Sequence, residues 1–363
     1  MTEKTCRWGI LGAANIAKKN WQSIRDCGNG TLVAVASRSM PRAQEFIDEL
    51  QLCVPFKTAP LACTYEELLA NPDIDAVYIP IPTGIRKDWV IKAANAGKHV
   101  LCEKPCAPNA IDLAEMIAAC QTNNVQFMDG VMFMHSHRLD RLRETLDDGR
   151  SIGTLRRIAT QFSFCGPEAF HQQNIRVSHE LEPLGCLGDL GWYTIRFALW
   201  VMKYQMPERV VGRMLTATTT GNVPLEFCAE LFFANGVSVA FYNSFLTENQ
   251  QWGHLSGSKG HLLVPDFVIP YFGCEVAFTV TNSEFHATGC QFDIEDHTRR
   301  IAIREHSNNA PDAQETNMFR TFNNLVLSGK HDQKWADIAL QTQQVMDACV
   351  KSAGQDGAPV LMG

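Results

Sequence analysis

Arg7–Ala17 reads RWGILGAANIA, and the fold of the chain turns on it. Trp8–Leu11 is a short apolar run of the kind a buried strand uses. Gly12-Ala13-Ala14 is a turn of small residues, and Asn15-Ile16-Ala17 opens a helical pattern. A strand, a tight turn and a helix start aim backbone N–H groups and the positive end of a helix dipole at one spot, where a pyrophosphate fits. Gly12, Ala14 and Ala17 form a degenerate version of G-x-G-x-x-G/A, with a methyl in the second slot. Taken alone, the stretch reads equally well as a plain strand–helix turn, so its surroundings decide.

Those surroundings alternate. Thr31–Ser37 and Ile74–Ile81 are strand patterns, as are His99–Cys102 and Val125–Met128. Between them lie helical patterns at Met40–Leu50, Tyr65–Ala70, Asp88–Ala96 and Ala110–Gln121. Strand–helix alternation predicts an α/β fold with a doubly wound parallel sheet, the Rossmann arrangement. Past Gly130 the rhythm changes. After a helix at His137–Asp147 come strands at Leu155–Phe164, Arg209–Ala217, Phe227–Phe233, Val237–Ser244, Leu255–Val264 and Cys274–Val280. Asn235-Gly236 between two of these marks a hairpin, and a helix follows at Trp335–Ser352. The reading is a dinucleotide-binding domain over residues 1–130 and an α+β domain with a mostly antiparallel sheet over residues 131–363.

The chain has 363 residues, 45% of them hydrophobic, enough for two cores. A net charge of −7 argues against nucleic acid or an anionic membrane as partner. No apolar run reaches the ~20 residues of a membrane span, and MTEKTCRWG lacks an apolar signal core. The 13 cysteines are scattered without zinc-type spacing, as expected of buried free thiols in a reducing compartment, and the expected location is cytoplasmic.

Ser37-Arg38-Ser39 closes the second strand, where Rossmann folds read the adenosine ribose. No carboxylate stands there for a free 2′-hydroxyl. Ser37, Arg38 and, one helical turn on, Arg42 suit a 2′-phosphate, favouring NADP with NAD still open. Pro80-Ile81-Pro82-Thr83 and Glu103-Lys104-Pro105 close two later strands, the edge at which such sheets bind ligands. Lys104 reads as a crevice residue, or as a surface loop charge. His135 and His137 would share a face on a strand, but nothing completes a metal site, and none is expected. Phe133 and His135 are candidate walls of a substrate pocket. Arg176 is a candidate rim residue or an ordinary salt-bridge partner. Gly257-Ser258-Lys259-Gly260 has no helix after it and reads as a turn.

GILGAANIA, VASRS, VYIPIPTG, KHVLCEKP and GDLGWYTIR together resemble the glucose–fructose oxidoreductase/inositol dehydrogenase (Gfo/Idh/MocA) family over nearly the whole chain. The likeness is strongest to its dimeric dihydrodiol dehydrogenase and NADP-dependent D-xylose dehydrogenase branch. It implies an oxidoreductase acting on a sugar or cyclic diol, with a large open sheet in the second domain used for homo-oligomerisation. It implies that the turn at Gly12, Ala13, Ala14, Asn15 and Ile16 holds the pyrophosphate, and that Ser37 and Arg38 read the 2′-phosphate. Pro80, Pro82, Thr83, Glu103 and Lys104 would line the cofactor, with Lys104, Asp189 and Tyr193 catalytic. Arg86 departs from the histidine many relatives carry.

Chemistry agrees with these roles. Asp189 and Tyr193 are four apart and share a helix face. A phenol ionises near ~10, so a nearby ammonium such as Lys104 would ready it as a base. Two other readings stand beside this one. A non-catalytic NAD(P)-binding regulator would have no need of a proton relay. A sugar–sugar oxidoreductase with permanently held NADP would be expected to carry an N-terminal arm. On the open sheet face, Phe232, Tyr242 and Phe245 are the expected association residues.

Overall fold

In the computed structural model, which describes residues 4–362, the chain opens with an alternation of strands and helices. These are β1 (Cys6–Leu11), α1 (Asn15–Asp26), β2 (Gly30–Ala36), α2 (Met40–Cys53), β3 (Leu61–Cys63), α3 (Tyr65–Ala70), β4 (Ala76–Ile79), α4 (Arg86–Asn95), β5 (His99–Cys102), α5 (Ala110–Thr122) and β6 (Phe127–Asp129). The six strands are all parallel, in the order β3-β2-β1-β4-β5-β6. Strand order reverses between β1 and β4, and the crevice beyond their C-terminal ends is the ligand position of this topology. β1, β4 and β5 are nearly continuous apolar runs because helices cover both faces, and Ile10, Leu11, Val77 and Leu101 are fully buried. Local chemistry sets the helix starts. Pro41 sits in the first turn of α2, Thr64 and Glu67 form a capping box on α3, and Asn109 caps α5.

The remaining elements are α6 (Arg138–Asp147), β7 (Leu155–Cys165), α7 (Glu168–Gln173), α8 (Trp192–Val201), β8 (Arg209–Ala217), β9 (Pro224–Phe232), β10 (Ser238–Ser244), β11 (Leu246–Gly257), β12 (His261–Val264), β13 (Glu275–Thr288), β14 (Gln291–Arg304), α9 (Gln314–Ser328), α10 (Lys334–Ala353) and β15 (Val360–Leu361). Nine strands form a second sheet, β14-β13-β12-β11-β7-β10-β9-β8-β15, antiparallel except for the β7–β10 pair. This is the doubly wound sheet plus mostly antiparallel sheet that the sequence implies.

By their contacts the residues group into two units, and the chain passes between them more than once. The first runs through His135 and adds Ser178–Leu184 and Asn308–Gln344; the second takes the rest. An anchor draws α9 to the first unit. The Trp8 indole N–H donates to Asn323 Oδ1 at 2.8 Å, and its ring lies 5.1 Å from both Phe319 and Phe322.

Several expectations need correction. Leu255–Val264 is not one strand: the Gly257–Gly260 turn splits it into β11 and β12. β13 runs on well past Val280 and pairs with β14, an arm whose outer half is exposed on both faces. Phe245 is fully buried, because it follows the end of β10 and falls out of register with the open face. Phe232 and Tyr242 do lie on that face, both half-buried, with Tyr242 in register with Trp252 across β7. His135 ends a 3₁₀ turn, Met132–His135, so it shares no strand face with His137. Not every thiol is buried: Cys53, Cys165, Cys274 and Cys290 are exposed. Among the described residues no helix is long and apolar enough to cross a membrane.

Candidate functional site

The turn after β1 is built for close approach. Gly12 has φ +127°, and a Cβ there would lie 2.7 Å from Ile81 Cγ2. Only glycine satisfies both conditions. α1 begins at Asn15 with no side-chain cap and no acidic residue in its first turn. The dipole end therefore faces solvent uncompensated by its own side chains, with Asn15 and Ile16 exposed on it. This cradle fits a pyrophosphate.

At the end of β2, Ser37 is buried and Arg38 exposed. An Arg42 Nη2 donates to the Ala13 carbonyl at 3.3 Å, so that guanidinium lies against the glycine turn. Burial raises the Tyr65 phenol above its ordinary pKa, while Arg38 and Arg42 pull it back. Two guanidinium groups thus lie near Tyr65 beside the end of β2, a donor set suited to phosphate.

The loops after β4 and β5 are tied together from beneath. Arg86 is 3% exposed, and its guanidinium donates to the carbonyls of Ile81, Glu103 and Pro105. That is its place in the fold: it satisfies three carbonyls in two loops that turn inward. Tyr78 donates to Glu103 Oε1 at 2.5 Å, and the backbone N–H of Lys104 donates to Glu103 Oε2 at 3.1 Å. Burial and the Glu103 charge hold the Tyr78 phenol well above its usual range, which keeps it a donor. Lys104 itself is half-buried. Pro80 is buried and Pro82 half-buried. Thr83 spends both of its donors on Glu182: its N–H reaches Oε1 at 3.1 Å and its hydroxyl Oε2 at 2.6 Å.

In the second unit, Leu187–Gly191 forms a π-helical turn that runs straight into α8. Such wide turns are common where a helix presents functional side chains. Asp189 lies in it, and Tyr193 follows in the first turn of α8. Tyr193 is 6% exposed, edge-on to Phe162 with ring centroids 5.6 Å apart. Arg176 Nε donates to Asp189 Oδ2 at 2.8 Å. Of the two readings of Arg176, the salt bridge is the one the structure shows.

Phe133 is 1% exposed and belongs to the core of the first unit, and His135 stacks on Trp335 at 4.7 Å. Among the described residues no group of three His, Cys, Asp or Glu is arranged to hold a metal. Sequence reasoning missed Glu182 and the partners of Arg86 and Tyr78. The residues that join these loops are far apart in the chain, and no local pattern announces them.

The family described as GFO/IDH/MocA oxidoreductases with an NAD-binding Rossmann fold matches residues 6–131, and its C-terminal domain matches residues 139–263. The chain is 30% identical to a D-xylose 1-dehydrogenase (NADP⁺) of Haloferax volcanii, over 70% of this chain and 74% of that one. It is 30% identical to the trans-1,2-dihydrobenzene-1,2-diol dehydrogenase of Mus musculus, over 70% and 73%. Its fold is similar to that of KijD10, a 3-ketoreductase from Actinomadura kijaniata solved with NADP and TDP-benzene. The TM-score is 0.80, at 24% identity, over 96% of this chain and 98% of that one.

Proposed function

The chain belongs to the GFO/IDH/MocA oxidoreductase family, and from that premise we propose that it moves a hydride between NADP and a carbinol carbon of a sugar or cyclic diol. The observation that carries the cofactor choice is the pairing of Arg38 and Arg42 at the end of β2, beside a turn that glycine alone can make. NADP, when bound, supplies or accepts the hydride.

The protein's own groups do the rest. Gly12–Ile16 present backbone donors and a dipole end to the pyrophosphate. Ser37, Arg38 and Arg42 hold the 2′-phosphate, and the Pro80–Thr83 and Glu103–Lys104 loops border the nicotinamide side. Lys104 brings an ammonium to the carbinol oxygen. Tyr193 takes the hydroxyl proton on oxidation and returns it on reduction. Asp189, ion-paired with Arg176, orients the substrate hydroxyls.

A ring carbinol is the chemistry shared by the substrates named for the xylose and dihydrodiol dehydrogenases. The substrate is therefore a small polyhydroxylated ring, and the protein works as a homo-oligomer through the open face of its nine-stranded sheet. The test is a spectrophotometric screen of aldoses, inositols and dihydrodiols with NADP and with NAD. Turnover of at least one class, faster with NADP, is the expected result. Turnover of none, with neither cofactor bound, would overturn the reading.

A further inference from the structure

Glu182 sits in Ser178–Leu184, a strap of the later chain that packs with the first unit although residues of the second unit flank it on both sides. Its target is the loop after β4. Pro80 and Pro82 carry no N–H, so that loop has few donors with which to fasten itself. The next donors, the N–H and hydroxyl of Thr83, both go to the Glu182 carboxylate, one to each oxygen. Gly84 N–H then donates to the Leu181 carbonyl at 2.9 Å. A Cβ on Gly84 would stand 2.0 Å from the Glu180 carbonyl oxygen, so the strap lies this close only because residue 84 is glycine. Thr83 Oγ1 is also 3.3 Å from the Pro105 carbonyl, to which the Arg86 guanidinium donates as well. The strap, the Pro80–Ile85 loop and the Lys104 loop are thereby fastened to one another. Only Pro183–Gly188 separates Glu182 from Asp189 along the chain.

We propose that Glu182 is a positioning residue for the reaction: its carboxylate clasps Thr83 and so presets the loop against which the nicotinamide half of NADP binds. This rests on the NADP-dependent reading given above. Glu182 is only half-buried, so its removal opens no core cavity; what it removes is the preset geometry, which binding must then restore. The role needs the acceptor and the reach of the side chain, not its charge. Glutamine keeps both contacts, because its Oε1 accepts the Thr83 N–H and its Nε2 donates to the Thr83 hydroxyl.

The test compares parent, Glu182→Ala, Glu182→Gln and Thr83→Val by two measurements. One is NADPH affinity from fluorescence titration; the other is hydrogen exchange at the Thr83 and Gly84 amides. A hydrogen-bonded carboxylate of this kind is worth a factor of about ten to a hundred. Glu182→Ala is expected to raise the Kd for NADPH about tenfold and to speed exchange at both amides at least as much. Thr83→Val, which keeps the N–H contact and the shape, should fall between parent and Glu182→Ala, and it decides the matter should the alanine variant not fold. Glu182→Gln should return both readouts to within about threefold of parent. Parent-like NADPH affinity in Glu182→Ala, or a glutamine variant no better than alanine, would overturn the proposal alone. A parent protein that does not bind NADPH overturns the cofactor reading and this proposal with it.

Discussion

Arg176 holds Asp189 through a 2.8 Å contact from Nε to Oδ2, so the carboxylate four residues before Tyr193 is an ion-pair partner. The arginine side chain is 41% exposed and the aspartate 14% exposed, so solvent screens the pair on one side. A carboxylate engaged this way is suited to orienting a hydroxyl rather than carrying its proton. In the proposed mechanism the proton goes to Tyr193, which lies in the first turn of α8 just beyond the π-helical turn.

Cofactor choice is the most direct test of the turn region. Arg38→Ala removes one of the two guanidinium groups at the end of β2. A charge-assisted contact of this type is worth roughly 1.5–3 kcal/mol, a factor of about ten to over a hundred. The KM for NADP should rise by that factor, and the KM for NAD by less than threefold. Equal kinetics of the parent with both cofactors would refute the assignment of Arg38.

Arg86 makes a stability prediction. Arg86→Leu keeps an apolar side chain but removes the guanidinium that donates to the carbonyls of Ile81, Glu103 and Pro105, leaving only the Thr83 hydroxyl near the last of them. A buried unsatisfied polar group costs about 1–3 kcal/mol, so the variant should lose about 3 kcal/mol or more. The urea midpoint reports the loss. An unchanged midpoint would show that water or a rearranged loop replaces the guanidinium.

How much of this was legible in the sequence depends on the range of each interaction. The β1 turn, the ends of β2, β4 and β5, and the Asp189–Tyr193 spacing are local, and RWGILGAANIA with its companion motifs displays them. β14 was missed although Phe285, Ala287, Phe292 and Ile294 alternate across the Gly289 turn. The positions between them are mostly polar, and neither face of the outer arm is buried, so there was no core pattern to read. α9 was missed for the opposite reason. Its first turn buries Gln314, Glu315, Thr316 and Asn317, so the helix starts on polar residues and its apolar positions, Met318, Phe319 and Phe322, begin only a turn later. The Glu182–Thr83 clasp joins residues 99 positions apart, and no periodicity encodes such a pairing.

His99 gives the fold a pH dependence. Burial, then the neighbouring His331 ring, holds its imidazole down to about 4 from an ordinary 6.5, with Asp75 opposing. Its Nδ1 accepts the Gln126 N–H at 2.9 Å, which requires the neutral ring. Because the folded value is depressed, the unfolded chain binds the proton first. This contribution to stability is complete above pH 6.5 and is lost as the pH falls from 6.5 towards 4. One linked proton changes stability by at most about 1.4 kcal/mol per pH unit. His99→Asn keeps an acceptor near the Nδ1 position and should flatten the parent's fall in that window. Parallel stability curves for parent and variant between pH 4 and 6.5 would exclude His99 as the cause.

The open sheet face predicts assembly. Trp252, His254, Leu263, Pro265 and Tyr271 line a cavity of about 450 Å³ on it, and Phe232 and Tyr242 share the same surface. An apolar face of this kind marks an association surface. Light scattering at micromolar concentration should give a dimer or larger species. Trp252→Glu should shift it towards monomer with an unchanged far-ultraviolet circular dichroism spectrum. A monomeric parent would contradict the homo-oligomer.

The acid–base assignment makes the sharpest kinetic prediction. A general acid–base contributes about 10²–10⁴ in rate, so Tyr193→Phe should lower kcat by that factor while NADPH binding stays at the parent value. The phenol is nearly buried against Phe162, and phenylalanine keeps that packing, so loss of activity would not reflect loss of fold. Lys104→Met should lower kcat comparably. If the ammonium supports the phenolate, it should also move the basic limb of the pH–rate profile upward, towards the ~10 of a free tyrosine. Asp189→Asn should fall between these variants and the parent, because it disturbs orientation and the Arg176 contact but removes no proton carrier. Steady-state kinetics from pH 6 to 10, with NADPH fluorescence as the binding control, separate these effects. Near-parent kcat in Tyr193→Phe would shift the proton to Lys104. The lysine variant would then lose the basic limb altogether instead of displacing it, and the two outcomes are distinguishable in one set of profiles.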